Sequence, residues 1–197
     1  KGSFKNPIPM FNVLNGGAHA DSENYIQEIM LVPSGIELLN KRIQASAEAF
    51  YSLKKIIKGK GGDTNVGDEG GFAPAFDDPV EAFDILVEAI KEAGYIPGKD
   101  FFIALDVAAS EFYKDGTYVL GEGSTKSSMG MIELYKYWIA KYPIFLIEDG
   151  LDQDDWGGWA EMTKALGDKV VIMGDDLFVT NTGRLKMGID KNVANAI

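Results

Sequence analysis

A chain of 197 residues with 30 acidic and 19 basic side chains carries a formal net charge of −11, its single histidine counted as neutral. Nucleic acid is excluded as the main partner, because phosphate neutralisation needs clustered Lys and Arg and only Lys54, Lys55, Lys58 and Lys60 gather here. A composition 46% hydrophobic and 11% aromatic excludes disorder, zero cysteines exclude disulfide scaffolds and thiol nucleophiles, and no apolar run reaches the ~18 residues of a membrane span.

Two apolar runs, residues 8–14 and 25–32, flank Asn15-Gly16-Gly17 and are predicted as neighbouring strands, with His19 in the loop between them. A helix is predicted over 36–58, where Ser34 and Glu37 have capping-box spacing and Leu39, Ile43, Ala47, Phe50, Leu53 and Ile57 form one apolar stripe. Residues 63–78 make a polar, glycine-rich loop. Asp78 and Pro79 then have the chemistry of a cap and first turn for a second helix that runs to residue 93, before Gly94. Strands and helices alternate beyond it: strand 101–107, a hairpin around Asp115-Gly116, helix 131–142 halted by Pro143, strand 144–147, helix 155–166, strand 170–173, helix 181–190 and the start of a strand at 193–197. This order predicts a parallel sheet with crossover helices, open or closed into a barrel, with no linker dividing it. The last apolar run has no turn or polar tail after it, so the chain is expected to be part of a larger domain.

An acid closes three successive strands: Asp106 after FFIAL, Glu148 after IFLI and Asp175 after VVIMG. Strand ends converge on the active face of a β/α barrel, and three carboxylates there suit a divalent magnesium ion, which takes hard oxygen ligands. Each acid taken singly is equally well explained as a helix cap; the three together favour the metal. Glu28, within NYIQEIMLV, has apolar residues on both sides, so its carboxylate is expected to be buried and paired or shifted in pKa, the plainer alternative being a strand-end ion pair. Gln27 points to the opposite face in a regular strand. Glu69, in V-G-D-E-G-G, is a candidate general acid on a loop whose glycines let the backbone approach a ligand, although by spacing alone a plain surface loop is the better account. His19 is a candidate for substrate contact or proton transfer, or an incidental loop residue. One histidine without cysteine excludes a Cys/His dyad and a multi-histidine zinc site, and no G-x-x-x-x-G-K-[ST], G-x-G-x-x-G or G-x-S-x-G pattern occurs.

The stretches NVLNGGAHAD, IQEIML, NVGDEGGFAP, LDVAASEFY, YPIFLIEDGLDQDDW and GDDLFVTN, in that order, resemble the enolases, the phosphopyruvate hydratases of glycolysis, over essentially all 197 residues. The wording of IEDGLDQDDW and GDDLFVTN looks closest to bacterial members. The resemblance implies an α/β fold, a partial TIM-like barrel of the enolase type opening with two strands and two helices, and a cytoplasmic enzyme that dehydrates 2-phosphoglycerate to phosphoenolpyruvate. It implies Asp106, Glu148 and Asp175 as magnesium ligands and Glu69, assisted by Glu28, as proton donor to the leaving hydroxyl. Glu28, Gln27 and His19 would line the substrate pocket, with Asp68 and Asp176 in support. An α-proton beside a carboxylate is barely acidic, and metal charge on the carboxylate oxygens is what makes its removal feasible.

By the same resemblance the proton-abstracting lysine and further substrate clamps lie on strands beyond Ile197, and a separate domain lies before Lys1. Residues 1–197 are thus expected to be an incomplete barrel domain with metal ligands and acid but no base, of little activity alone. Lys186 and Lys191 fall on the last helix and are expected to be solvated. Intact enolases are homo-oligomers. Two other accounts stay open: another magnesium-dependent enzyme of the same superfamily, which should lack V-G-D-E-G-G and N-G-G-x-H, and a non-catalytic fragment whose open sheet edges self-associate.

Overall fold

The computed structural model describes residues 6–17, 25–67, 69–76, 78–121 and 123–197. Strands β1 (Phe11–Asn15) and β2 (Glu28–Val32) are followed by helices α1 (Leu39–Gly59) and α2 (Pro79–Glu92), and then by β3 (Phe102–Asp106). A small sheet of β4 (Tyr113–Lys114), β5 (Thr117–Gly121) and β6 (Ser124–Lys126) comes next. The chain continues through α3 (Ser128–Lys141), β7 (Ile144–Glu148), α4 (Trp156–Leu166), β8 (Val171–Met173) and α5 (Thr182–Lys191).

The main sheet runs β1-β2-β3-β7-β8. β3–β7 and β7–β8 are parallel, each connected through one principal helix, α3 or α4. β1–β2 and β2–β3 are antiparallel, so the parallel pairing expected of the alternating strands and helices is confined to β3, β7 and β8. The cause lies in the connection. Two packed helices, α1 and α2, join β2 to β3, and an even number of traverses returns the chain to the end of the sheet that it left. The opening of two strands and two helices is therefore present, with β2 running against β3. Past α5, residues 193–197 make a single parallel bridge, Met173 to Ala196.

Both faces of the sheet are apolar. Ile29, Leu31, Ile103, Leu105, Ile147 and Ile172 pack against the helices in one large core with Leu53, Phe83, Leu86, Trp138 and Trp159. Met30, Val32, Ala104 and Leu146 form a separate layer on the opposite face, joined by Phe102, Phe145, Val171 and Met173. Strands buried on both sides need such near-continuous apolar sequence, and each large side chain so buried contributes about 1.5–3 kcal/mol.

Helix boundaries follow local chemistry where a cap is present. The Asp78 carboxylate accepts from Val80 N at 2.8 Å, and Pro79 opens α2 as expected. α3 starts three residues earlier than its apolar periodicity suggests, because Ser127 Oγ accepts from Gly130 N. The capping box expected at Ser34 and Glu37 does not form: α1 begins after Leu38, which supplies no side-chain cap. Ser34 lies instead in a turn pressed against the residues before β3, where Gly35 N donates to Asp100 O and a Cβ on Gly35 would fall 1.8 Å from Lys99 O. The stripe expected on α1 is also rotated. Small residues Ala45, Ser46 and Ala49 go inward with Leu53, Ile56 and Ile57, while Leu39 and Ile43 stay 36% and 52% exposed. Asp115-Gly116 forms the hairpin turn between β4 and β5, with Asp115 at φ +49°.

Candidate metal centre

The acids at the strand ends come together through register. Glu28 is the ladder partner of Asp106, and Asp106 is the partner of Glu148. The second pairing depends on an irregularity in β7: Ile103 faces Ile144, but Ala104 faces Leu146, so Phe145 is an extra residue. Without it Asp106 would face Ile147, and the Glu148 side chain would turn to the helix side, since one residue of slip reverses every side chain. With it, Glu28, Asp106 and Glu148 cap the inner face above the layer of Met30, Ala104 and Leu146.

Asp106, Glu148 and Asp149 each offer a carboxylate oxygen within 4.8 Å of the others. Burial, followed by the charge of Asp149, pushes Asp106 up to about 7. Burial and the charge of Asp106 push Glu148 up to about 8. Glu28 and Asp176 add to the first shift, Asp149, Asp175 and Glu28 to the second, so every charge that raises the pair is another carboxylate. Gln27 Nε2 donates to Asp106 Oδ2 at 3.1 Å, which fixes the orientation of that carboxylate. Gln27 and Glu28 do not diverge to opposite sides, because β2 starts at Glu28 and Gln27 precedes the regular strand.

Asp149 is the residue that strand-end logic missed. Its backbone is left-handed at φ +43° and its side chain is buried. The carboxylate accepts from Asp176 N at 2.8 Å, from Asp175 N at 3.2 Å and from Leu177 N at 3.3 Å. Three backbone donors occupy it, and its chemistry is that of an anchor for the turn after β8. Burial raises Asp149 to about 6 against the pull of those N–H groups. The doublets Glu148-Asp149 and Asp175-Asp176 were the available sequence signal, each strand end carrying two acids with different tasks.

Asp175 itself is exposed at the start of that turn, and its charge reaches Glu148. Asp176 is half-buried and raised by burial and by Asp175. Glu69 is exposed, and it is not among the carboxylates that the fold clusters. Its loop is nevertheless fixed to the sheet. Phe72 N donates to Val13 O, Asn15 N donates to Phe72 O, and a Cβ on Gly71 would lie 2.6 Å from Asn15 Oδ1. That attachment holds the loop against the end of β1, whose Asn15 is the ladder partner of Glu28. His19 and Asp68 lie outside the described residues. Lys186 and Lys191 are exposed on α5, Lys186 in an ion pair with Asp190 at 3.4 Å.

A hard, all-oxygen donor set of clustered acids fits a divalent cation of the magnesium type better than a soft metal. Parallel strands β3, β7 and β8 backed by helices, with carboxylates gathered where those strands end, have the arrangement of a partial β/α barrel with its polar site at the C-terminal ends of the strands. The chain matches the family described as enolase, C-terminal TIM barrel domain, over residues 3–197, and it belongs to that family. Among the described residues, no helix is long and apolar enough to cross a membrane.

Proposed function

We propose that the chain carries the metal centre of a phosphopyruvate hydratase of the bacterial type, a cytoplasmic and homo-oligomeric enzyme of glycolysis that dehydrates 2-phosphoglycerate to phosphoenolpyruvate. The observation that supports this best is the ladder pair Asp106–Glu148, two half-buried acids facing each other at the ends of adjacent parallel strands, each raised in pKa by burial and by neighbouring carboxylates. Asp106, Glu148 and Asp175 would hold magnesium. When bound, the ion supplies positive charge against the substrate carboxylate and lowers the cost of removing the proton beside it. Gln27 orients Asp106, and with Glu28 and His19 it would line the substrate pocket. Glu69 would hand its proton to the departing hydroxyl, with Glu28 assisting, from a loop that Phe72 and Gly71 hold at the end of β1. No base is assigned, Lys186 and Lys191 being solvated on α5.

Calorimetric titration with magnesium, followed by 2-phosphoglycerate, tests this on the parent chain and on an Asp106→Asn, Glu148→Gln double variant. Saturable magnesium binding that the double variant loses, with 2-phosphoglycerate binding only the magnesium-loaded parent, is the expected result. Equal magnesium binding by the two proteins overturns the metal assignment. Binding of 2-phosphoglycerate that ignores magnesium overturns the substrate assignment.

A further inference from the structure

We propose that Arg184 is a positioning residue for this centre: its guanidinium ties the loop after β7 to the turn after β8 and so presents Glu148 and Asp175 to one site. The proposal rests on the reading of those two acids as ligands.

Arg184 lies in the first turn of α5, which Asn181 caps through Gly183 N and Arg184 N and where the helix dipole disfavours a cation. Its side chain turns back toward the strand ends. Nε donates to Leu177 O at 2.6 Å, Nη1 donates to Asp154 Oδ1 at 3.0 Å, and Nη2 donates to Gln153 O. The guanidinium also lies 5.0 Å over the Trp156 ring. Serving three acceptors on two segments takes a rigid planar fork of donors, which lysine does not have.

The turn that it holds is strained. Val179 and Thr180, both β-branched, have φ of +43° and +54°, a region that such residues keep only when surrounding contacts enforce it. Asp149 grips the turn from the other side, so Leu177 is held at its N–H by Asp149 and at its carbonyl by Arg184. Asp175 begins the same turn. A ligand fixed in place before the cation arrives loses less freedom on binding, and contacts that orient ligands are therefore felt in metal affinity.

The test compares the full chain with R184M and R184K, using E148Q as the ligand control. In R184M magnesium affinity by calorimetry is expected to fall about tenfold or more, the usual effect of losing a residue that orients a ligand. Metal-free amide exchange at residues 150–156 and 175–179 is expected to quicken, with part of both effects restored in R184K. Lower thermal stability with unchanged magnesium affinity and unchanged exchange at 175–179 overturns the proposal. Should R184M not fold, R184K decides by the same two measurements, and parental values for both overturn it. Parental magnesium affinity in E148Q refutes the ligand reading itself, and the proposal falls with it.

Discussion

Asp106 and Glu148 are neighbours in one ladder row; burial and the charge of Asp149 raise the first to about 7, and burial and the charge of Asp106 raise the second to about 8. Both hold protons in the folded chain at a pH where unfolded carboxyls, with ordinary values near about 4, have lost them. The folded state then binds more protons than the unfolded state between about pH 4 and pH 8, and stability falls as pH rises across that window. The contribution is complete below the unfolded values and lost as pH passes through the folded ones. Metal-free protein is thus expected to show a declining urea midpoint from about pH 5.5 to about pH 8.5, and Glu148→Gln, neutral throughout, to flatten the decline. A cation selects the ionised carboxylates, so magnesium binding near about pH 6.5 should release protons. Calorimetry in two buffers of different ionisation enthalpy reads that release, and identical heats in both would refute it. The two acids were visible in the sequence as strand-end residues. The task of Asp149 was not, because its partners are backbone N–H groups of a turn 26 to 28 residues further along the chain.

Single elements show where sequence patterns suffice and where tertiary contacts override them. α2 was legible because Asp78 and Pro79 act on their own first turn. α1 was less so: its expected cap is drawn into contact with residues 99 and 100, and its small residues, rather than Leu39 and Ile43, let it approach the core. The extra residue in β7 was illegible, because IFLIE has the same composition with or without a register shift, and only pairing with β3 reveals it. The loop bearing Glu69 is intermediate. Its glycines were evident, but its attachment to β1 through Phe72 is a long-range contact. Phe72 is buried and stacks on Phe50 at a centroid distance of 4.3 Å. Phe72→Ala is expected to cost about 3–5 kcal/mol by urea unfolding, the usual range for a buried Phe. If the loop is an independent surface feature instead, the variant should stay within about 1 kcal/mol of the parent. Amide exchange at residues 65–73 should quicken in step with the loss.

At the scale of the whole molecule, the sheet brings Glu28, Asp106, Glu148, Asp149, Asp175 and Asp176 to one end of a chain that already carries a net charge of −11. The packing beneath them is apolar on both faces of the sheet, so the repulsion is borne by a rigid support rather than relieved by splaying. A parallel sheet with crossover helices was readable from alternating strands and helices, which fit an open sheet and a barrel equally, and the barrel came from the family resemblance; the reversed direction of β2 was not readable, since it depends on counting traverses through α1 and α2. A site built in this way should couple the cation to the stability of the entire fold. An ion that binds only the native state stabilises it by about 2.7 kcal/mol at a hundred times its dissociation constant. General screening by monovalent salt acts on all exposed charges and saturates with no particular affinity. Thermal unfolding in magnesium chloride and in potassium chloride of equal ionic strength separates the two effects. The midpoint is expected to rise with magnesium well beyond the potassium control, to follow a single-site saturation curve, and to lose that excess in the Asp106→Asn, Glu148→Gln variant. Equal rises in both salts would mean that the acids at the strand ends act as a diffuse negative field, and that the native structure has no discrete cation site to stabilise it.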